Sequence, residues 1–322
     1  MRAKLTAVLI IFAIVIIGSF VFLYSNGSDI NPDENVSPLQ NTTIPTSESS
    51  NVAGRVSHNL VLTSPAKESV ETVMVYKTVP PVVNKEVTLE YAKKFNVTGK
   101  LRDNAVVQSE DLRFGVEISK NSGRVIYIDQ DRPNENQDAP QYLPSDEEAI
   151  EIATKFLKEK DLYPDGAVNP SVERENAYTV GKGDEVYFSQ IGVWYHRYLN
   201  GLKVKGTQLV VYVGGGGDVI GYYANWRDYE PYKEYPVVSS GKAFESLKSR
   251  GVSVGMNSQD SLVSFDEVYL AYQTTAGAYS EDYLEPVWVF KGNVMNEDNK
   301  AVTDVVQYIP ALAKEPTELI SK

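Results

Sequence analysis

One segment constrains this chain more than any other. Leu5 to Tyr24 runs for 20 residues without a charge and is dominated by Ile, Val, Leu, Phe and Ala. A helix of that length spans about 30 Å, the thickness of a bilayer hydrocarbon core. Arg2 and Lys4 precede it, whereas Asp29, Asp33 and Glu34 follow it and no Lys or Arg appears before Arg55. The positive-inside rule puts the N-terminus in the cytoplasm and everything after Tyr24 outside. The expectation is an uncleaved signal anchor over residues 5–24, giving a single-pass cell-membrane protein with an extracytoplasmic C-terminal region. A cleaved signal peptide is the alternative, although the apolar stretch is long for one and no clear A-x-A site follows.

Beyond the anchor, residues 25–56 are rich in Ser, Asn, Thr, Pro, Asp and Glu. Such a stretch buries too little apolar surface to offset its ordering entropy, so it reads as a disordered stalk. Sequons at Asn26, Asn41 and Asn96 are candidate glycosylation sites, since N-x-S/T in an exposed extracytoplasmic segment is an acceptor pattern. A fourth, at Asn35, is weakened by Pro38. A Ser/Asn-rich linker would match the pattern by composition alone.

Composition removes much catalytic chemistry. The chain has no Cys, which excludes disulfides, thiolate metal sites and a Cys nucleophile. Its two histidines, His58 and His196, cannot supply HExxH or a three-His metal site. With 43 Asp and Glu against 31 Lys and Arg, the net charge of −12 argues against a nucleic-acid partner. The glycines Gly214–Gly217 precede Asp218 and a strand pattern, which suits a hairpin turn and not a phosphate loop. Asp129, Asp131, Asn134, Asn136 and Asp138 are oxygen-rich, but Pro140 stands where an EF-hand needs Glu. Acid pairs such as Asp282 with Glu285, or Glu185 with Glu230, could be proposed for glycoside hydrolysis, yet nothing selects one pair. The expectation is no catalytic, metal or cofactor-binding residue, and no cofactor.

The rest of the chain reads as α+β. Helix patterns fall at Thr88–Asn96, after the capping box Ser145 with Glu148, and after Ser239-Ser240 with Gly251 as C-cap. Groups of strand-like runs follow each helix, and Asn200-Gly201 is a type I′ hairpin signal. The expected division is 1–24 anchor, 25–56 stalk, 57–143 first α+β module, 144–237 second module and 238–322 third module. Aromatic residues crowd the span from Tyr187 to Tyr235. Tyrosine and tryptophan on a sheet suit either core packing or a recognition face. Trp194, Tyr198, Tyr222, Trp226, Tyr229 and Trp288 are the candidate partner-binding residues. Alternation in Val193–Leu199 sets Trp194, His196 and Tyr198 on one face and Val193, Tyr195, Arg197 and Leu199 on the other.

Three patterns then carry a resemblance. Tyr198-Leu199-Asn200-Gly201, Val204-Lys205-Gly206 and Gly216-Gly217-Asp218-Val219-Ile220 lead through Pro236 into the helix Ser239–Leu247. That stretch resembles the PepSY-type module and the related propeptide module of thermolysin-like peptidases. Val268–Tyr272, Leu284–Gly292 and Tyr308–Ala311 are similar to the C-terminal part of the YycI/YycH regulatory proteins, which share the anchored layout. The resemblance covers about residues 145–311. It implies repeated PepSY-like units of antiparallel sheet packed by helices. It also implies a non-catalytic protein that regulates another protein, a sensor-kinase ectodomain or a peptidase. The sequence departs from the peptidase precursors in carrying no HExxH, so the expectation is action on a separate protein and not a zymogen. The competing readings are a cell-surface glycan hydrolase and a structural or small-ligand-binding surface protein.

Overall fold

The computed structural model describes residues 55–67, 71–131, 141–181, 184–255, 257 and 260–313. The expected anchor at 5–24 and most of the expected stalk lie outside the described residues. Among the described residues, no helix is long and apolar enough to cross a membrane.

In chain order the elements are β1 (Val56–Ser57), β2 (Leu60–Leu62), β3 (Thr72–Thr78), α1 (Lys85–Lys94), β4 (Lys100–Arg102), β5 (Val106–Gln108), β6 (Phe114–Ile118) and β7 (Val125–Asp129). Then come α2 (Asp146–Glu159), β8 (Ala167–Thr179), β9 (Val186–Leu199), β10 (Leu202–Lys205), β11 (Gln208–Gly214), β12 (Val219–Asn225) and β13 (Tyr229–Pro236). The last are α3 (Ser240–Arg250), β14 (Val252–Ser253), β15 (Val263–Gln273), β16 (Tyr283–Met295) and β17 (Ala301–Pro310).

The α+β expectation is overturned. Among the described residues the chain is mostly strand, with three α-helices, and the sheet is mixed and not antiparallel. Both β10 and β2 run parallel to β15. The cause is long-range pairing. After β10 the chain passes through β11, β12, β13 and α3 before β15 returns beside it, and parallel neighbours require such a crossover. Strands distant in sequence also pair. β7 pairs with β12, β10 with β15, and β3 with both β13 and β16.

Local chemistry still explains each helix. Asn84 Oδ1 accepts from the Val87 N–H at 2.9 Å and starts α1. Ser145 and Glu148 cap α2 reciprocally, at 3.2 and 2.9 Å. Gly251, at φ +76°, ends α3 where a side chain would be strained. Asn200 and Gly201, both at positive φ, form the turn from β9 to β10.

Two hydrophobic cores lie beneath the helices. The first joins Ala149, Ala153 and Leu157 of α2 to Val193 and Tyr195 of β9, Val211 of β11 and Tyr222 of β12. Phe95, after α1, stacks on Tyr127 at 4.6 Å and approaches Tyr222 at 5.3 Å, above the cross-strand pair that joins β7 to β12. The second core sets Phe244 and Leu247 of α3 against Phe265, Phe290, Trp288 and Tyr272. β9 and β10 link the two. Val193 and Tyr195 belong to the first core, while Leu199, Leu202 and Val204 belong to the second. The strand period of two therefore leaves Trp194, His196 and Tyr198 on the opposite face, which is helix-free among the described residues.

Candidate functional site

The helix-free face continues across the strands as two aromatic patches. Around β9, β11 and β12 the patch consists of Val210, Tyr212 and Ile220, with Trp194 and Tyr223 half-buried against them. Around β15, β16 and β17, Ala271, Val287 and Val289 lie under Tyr269, Val306 and Tyr308. Tyr198 stands between the patches at 40% exposure.

Glu175 of β8 lies at the first patch. It faces Gln190 across the β8–β9 ladder and accepts from Gln190 Nε2 at 3.1 Å. Gly192 leaves a hollow there. A Cβ on it would come within 2.5 Å of Glu175 Oε1 and 2.8 Å of Trp194 Nε1. Burial pushes the Glu175 carboxyl up to about 7, with a smaller push from Glu173, while Gln190 and Trp194 oppose the rise. The Tyr212 hydroxyl is likewise pushed up, first by burial and then by Glu175.

The second patch is cationic. Lys203 and Lys205 of β10 flank the inward Val204, so both share the outer face, and Lys291 of β16 joins them. Lys291 Nζ lies 2.8 Å from Glu267 Oε2 and 5.1 Å from the Tyr269 ring centroid. Burial lowers the proton affinity of Lys203, Lys205 and His196, and neighbouring ammonium groups lower it further.

The six candidate partner-binding residues separate into three environments. Trp194 and Tyr198 lie on the helix-free face. Tyr222 and Trp288 are interior, and Trp288 Nε1 donates to the Val238 carbonyl at 2.9 Å. Trp226 and Tyr229 clamp the Arg197 guanidinium, with ring centroids 5.0 and 4.9 Å away. That clamp borders a buried ion pair. Arg227 Nε is 3.7 Å from Glu281 Oε1, and both side chains are almost fully buried. Arg227 Nη2 donates to the Tyr279 carbonyl at 2.7 Å, and Glu281 accepts from the Tyr229 hydroxyl and the Thr275 N–H at 2.8 and 2.6 Å. The network ties the end of β12 to the loop between β15 and β16, so these two aromatics serve architecture.

Asn96 is exposed just after α1, at φ +58°, while Asn26 and Asn41 lie outside the described residues. Among the acids, Asp282, Glu185 and Glu230 are exposed on the surface. Asp129 is buried and takes a bidentate pair from Arg113 at 2.8 and 2.9 Å, which occupies the oxygens a cation would need. Residues 134, 136 and 138 of that loop lie outside the described residues.

Tyr212, Tyr223, Tyr269, Glu175, Lys205 and Lys291 were not singled out as site residues from the sequence. A partial signal existed. Lys203 and Lys205 are two apart around an apolar Val204, and Gly192 interrupts an otherwise bulky strand.

No protein-family model matches the chain, and no curated protein does. Among solved structures, an uncharacterized protein from Eubacterium rectale is similar at 14% identity over 80% of this chain and 90% of that one, with a TM-score of 0.44. The C-terminal domain of YpeB from Bacillus megaterium is similar at 17% identity over 72% of this chain and 99% of that one, with a TM-score of 0.30.

Proposed function

We propose that this chain is a membrane-anchored extracytoplasmic protein that binds and regulates another protein without catalysis, using the helix-free face of its sheet. One observation carries the reading. Among the described residues, the exposed Tyr198 and the half-buried Trp194, Tyr223, Tyr269 and Tyr308 lie on the side of the sheet away from the three helices. Aromatic side chains of this kind supply contact area with a polar tip and are enriched at protein interfaces. The resemblance to PepSY-type and YycI/YycH modules favours a regulatory role, and the partner is a sensor-kinase ectodomain or a peptidase. The apolar run at 5–24 supports the anchor, with the N-terminus in the cytoplasm.

In-cell photo-crosslinking tests this directly. A photoreactive residue at position 194 should capture one membrane or secreted protein. The same residue at position 142, where Tyr142 is 91% exposed beyond the two patches, should capture none. Equal capture from both positions, or none from 194, refutes the assignment of this face.

A further inference from the structure

The helix-free face is not electrically uniform. At one end, Glu175 and Glu173 stand beside Trp194 and Tyr212. At the other, Lys203 and Lys205 share the outer face of β10, with His196 and Lys291 near them. Burial and then the neighbouring ammonium groups lower the proton affinity of Lys203, Lys205 and His196, whereas the Glu267 carboxylate raises that of Lys291. This happens in a chain whose net charge is −12.

Lys291 already holds the Glu267 carboxylate. The Lys203 and Lys205 side chains make no hydrogen bond or salt bridge among the described residues, although both residues are half-buried and Lys205 feels the Glu267 charge at a distance. Holding two ammonium groups partly out of water without a contacting carboxylate, near a third, costs free energy that an arriving anion would return. His196 has only a long contact, 3.4 Å, with Ser171 Oγ. Tyr198 lies opposite Lys203 on the neighbouring strand, and Tyr269 lies beside Lys291. Any anion held here therefore has aromatic surface on both sides.

The type of anion follows from what the cluster contains and lacks. Among the described residues, the counter-ion that pairs within the cluster is a carboxylate, Glu267. It offers lysine point charges and an imidazole, and among the described residues no helix N-terminus and no arginine fork stands beside them, the two devices that suit phosphate best.

We propose that Lys203, Lys205 and Lys291 form the binding site for a carboxylate-rich peptide segment of the partner protein, whose acidic side chains pair with the lysines while its apolar neighbours rest on Tyr198 and Tyr269. The proposal rests on the reading of this face as a protein-binding surface and adds the chemistry of what binds there. Glu173, exposed at the Glu175 end, repels the same segment, so the pairing also sets the direction in which it lies.

Fluorescence anisotropy on the full chain in mild detergent tests it. The probe is a fluorescein-labelled hexapeptide alternating Glu with Val, compared with the same peptide carrying Gln in place of Glu. The acidic peptide should bind at least about tenfold more tightly than the Gln form, roughly the scale of one lost charge contact, and should weaken as salt rises from about 20 to about 150 mM. Lys203→Gln and Lys205→Gln should each weaken it about three- to tenfold. Lys205→Arg should retain binding, which separates charge from misfolding. Lys242→Gln, on the exposed side of α3, should change nothing. Equal affinity for both peptides, insensitivity to Lys203→Gln and Lys205→Gln, or stronger competition by inorganic phosphate or anionic vesicles than by unlabelled acidic peptide would overturn the proposal. If crosslinking from position 194 persists while the peptide result fails, only the carboxylate inference falls. If crosslinking from 194 is lost as well, the face itself is misassigned.

Discussion

Replacing Glu175 with Gln tests how the helix-free face is built. The carboxyl stands over Gly192 beside Trp194, and burial lifts it from 4.5 to about 7. Below pH 4.5 it is protonated in both folded and unfolded chains and carries no penalty. Between 4.5 and about 7 the folded protein keeps a proton that the unfolded chain has lost. Stability therefore falls as pH rises, by at most about 1.4 kcal/mol per pH unit. Above 7 the folded carboxylate ionises as well, and the penalty levels off at about 3 kcal/mol.

Glutamine keeps the shape of the protonated acid and cannot ionise. Glu175→Gln should therefore stabilise the protein by about 1 kcal/mol at pH 5 and about 3 kcal/mol at pH 8. Urea unfolding of the full chain in mild detergent, followed by tryptophan fluorescence at the two pH values, measures the difference. An equal gain at both pH values, or a loss at pH 8, would refute the reasoning. Either result would mean that the carboxylate ionises without cost and that water fills the hollow above Gly192.

Other perturbations separate architecture from the binding face. Arg227→Ala leaves Glu281 buried without its cation and should cost about 3–5 kcal/mol in a urea melt. The paired change Arg227→Met with Glu281→Leu should cost less, because no lone charge remains buried. Gly192→Ala puts a methyl group against Glu175 and Trp194. It should lower stability by about 1–3 kcal/mol and shift tryptophan emission, and unchanged emission would show that the indole does not lean over position 192. Ser145→Ala removes half of the α2 capping box and should cost about 1 kcal/mol with no change in crosslinking from position 194.

Short-range chemistry was legible in the sequence, and long-range pairing was not. The Ser145–Glu148 cap, the Asn200-Gly201 turn and the Gly251 stop each act within a few residues, so their signals sit next to the structure they make. Tyr229–Pro236 shows the opposite case. Pro231 and Pro236 mark it as a linker, yet it forms β13 on β3. Its prolines are tolerated because β13 is an edge strand whose ladder slips between Pro231 and Lys233. The partner strand lies more than 140 residues earlier, beyond the reach of any local periodicity. Aromatic density misled for a related reason. It could not tell Trp194, on the open face, from Tyr222 and Trp288, which a neighbouring helix or strand encloses.

The same nonlocality explains why the cationic cluster escaped notice. The alternation of Lys203, Val204 and Lys205 places both lysines on one face wherever β10 lies. What gives that face its charge is the parallel pairing of β10 with β15, which brings in Tyr269 and, from the next strand, Lys291. Each lysine alone is an ordinary surface residue of an acidic protein. Together they crowd because the crossover that makes the sheet mixed also sets β10 beside β15. The departure from an antiparallel sheet and the proposed acidic-peptide site thus share one structural cause. A change that unpaired β10 from β15, such as Val204→Pro, should therefore abolish binding of the acidic peptide together with local order in the sheet. Lys203→Gln should weaken binding while hydrogen-exchange protection of β10 stays intact. Loss of that protection in Lys203→Gln would show that the lysine is part of the scaffold and would refute its role as a ligand contact.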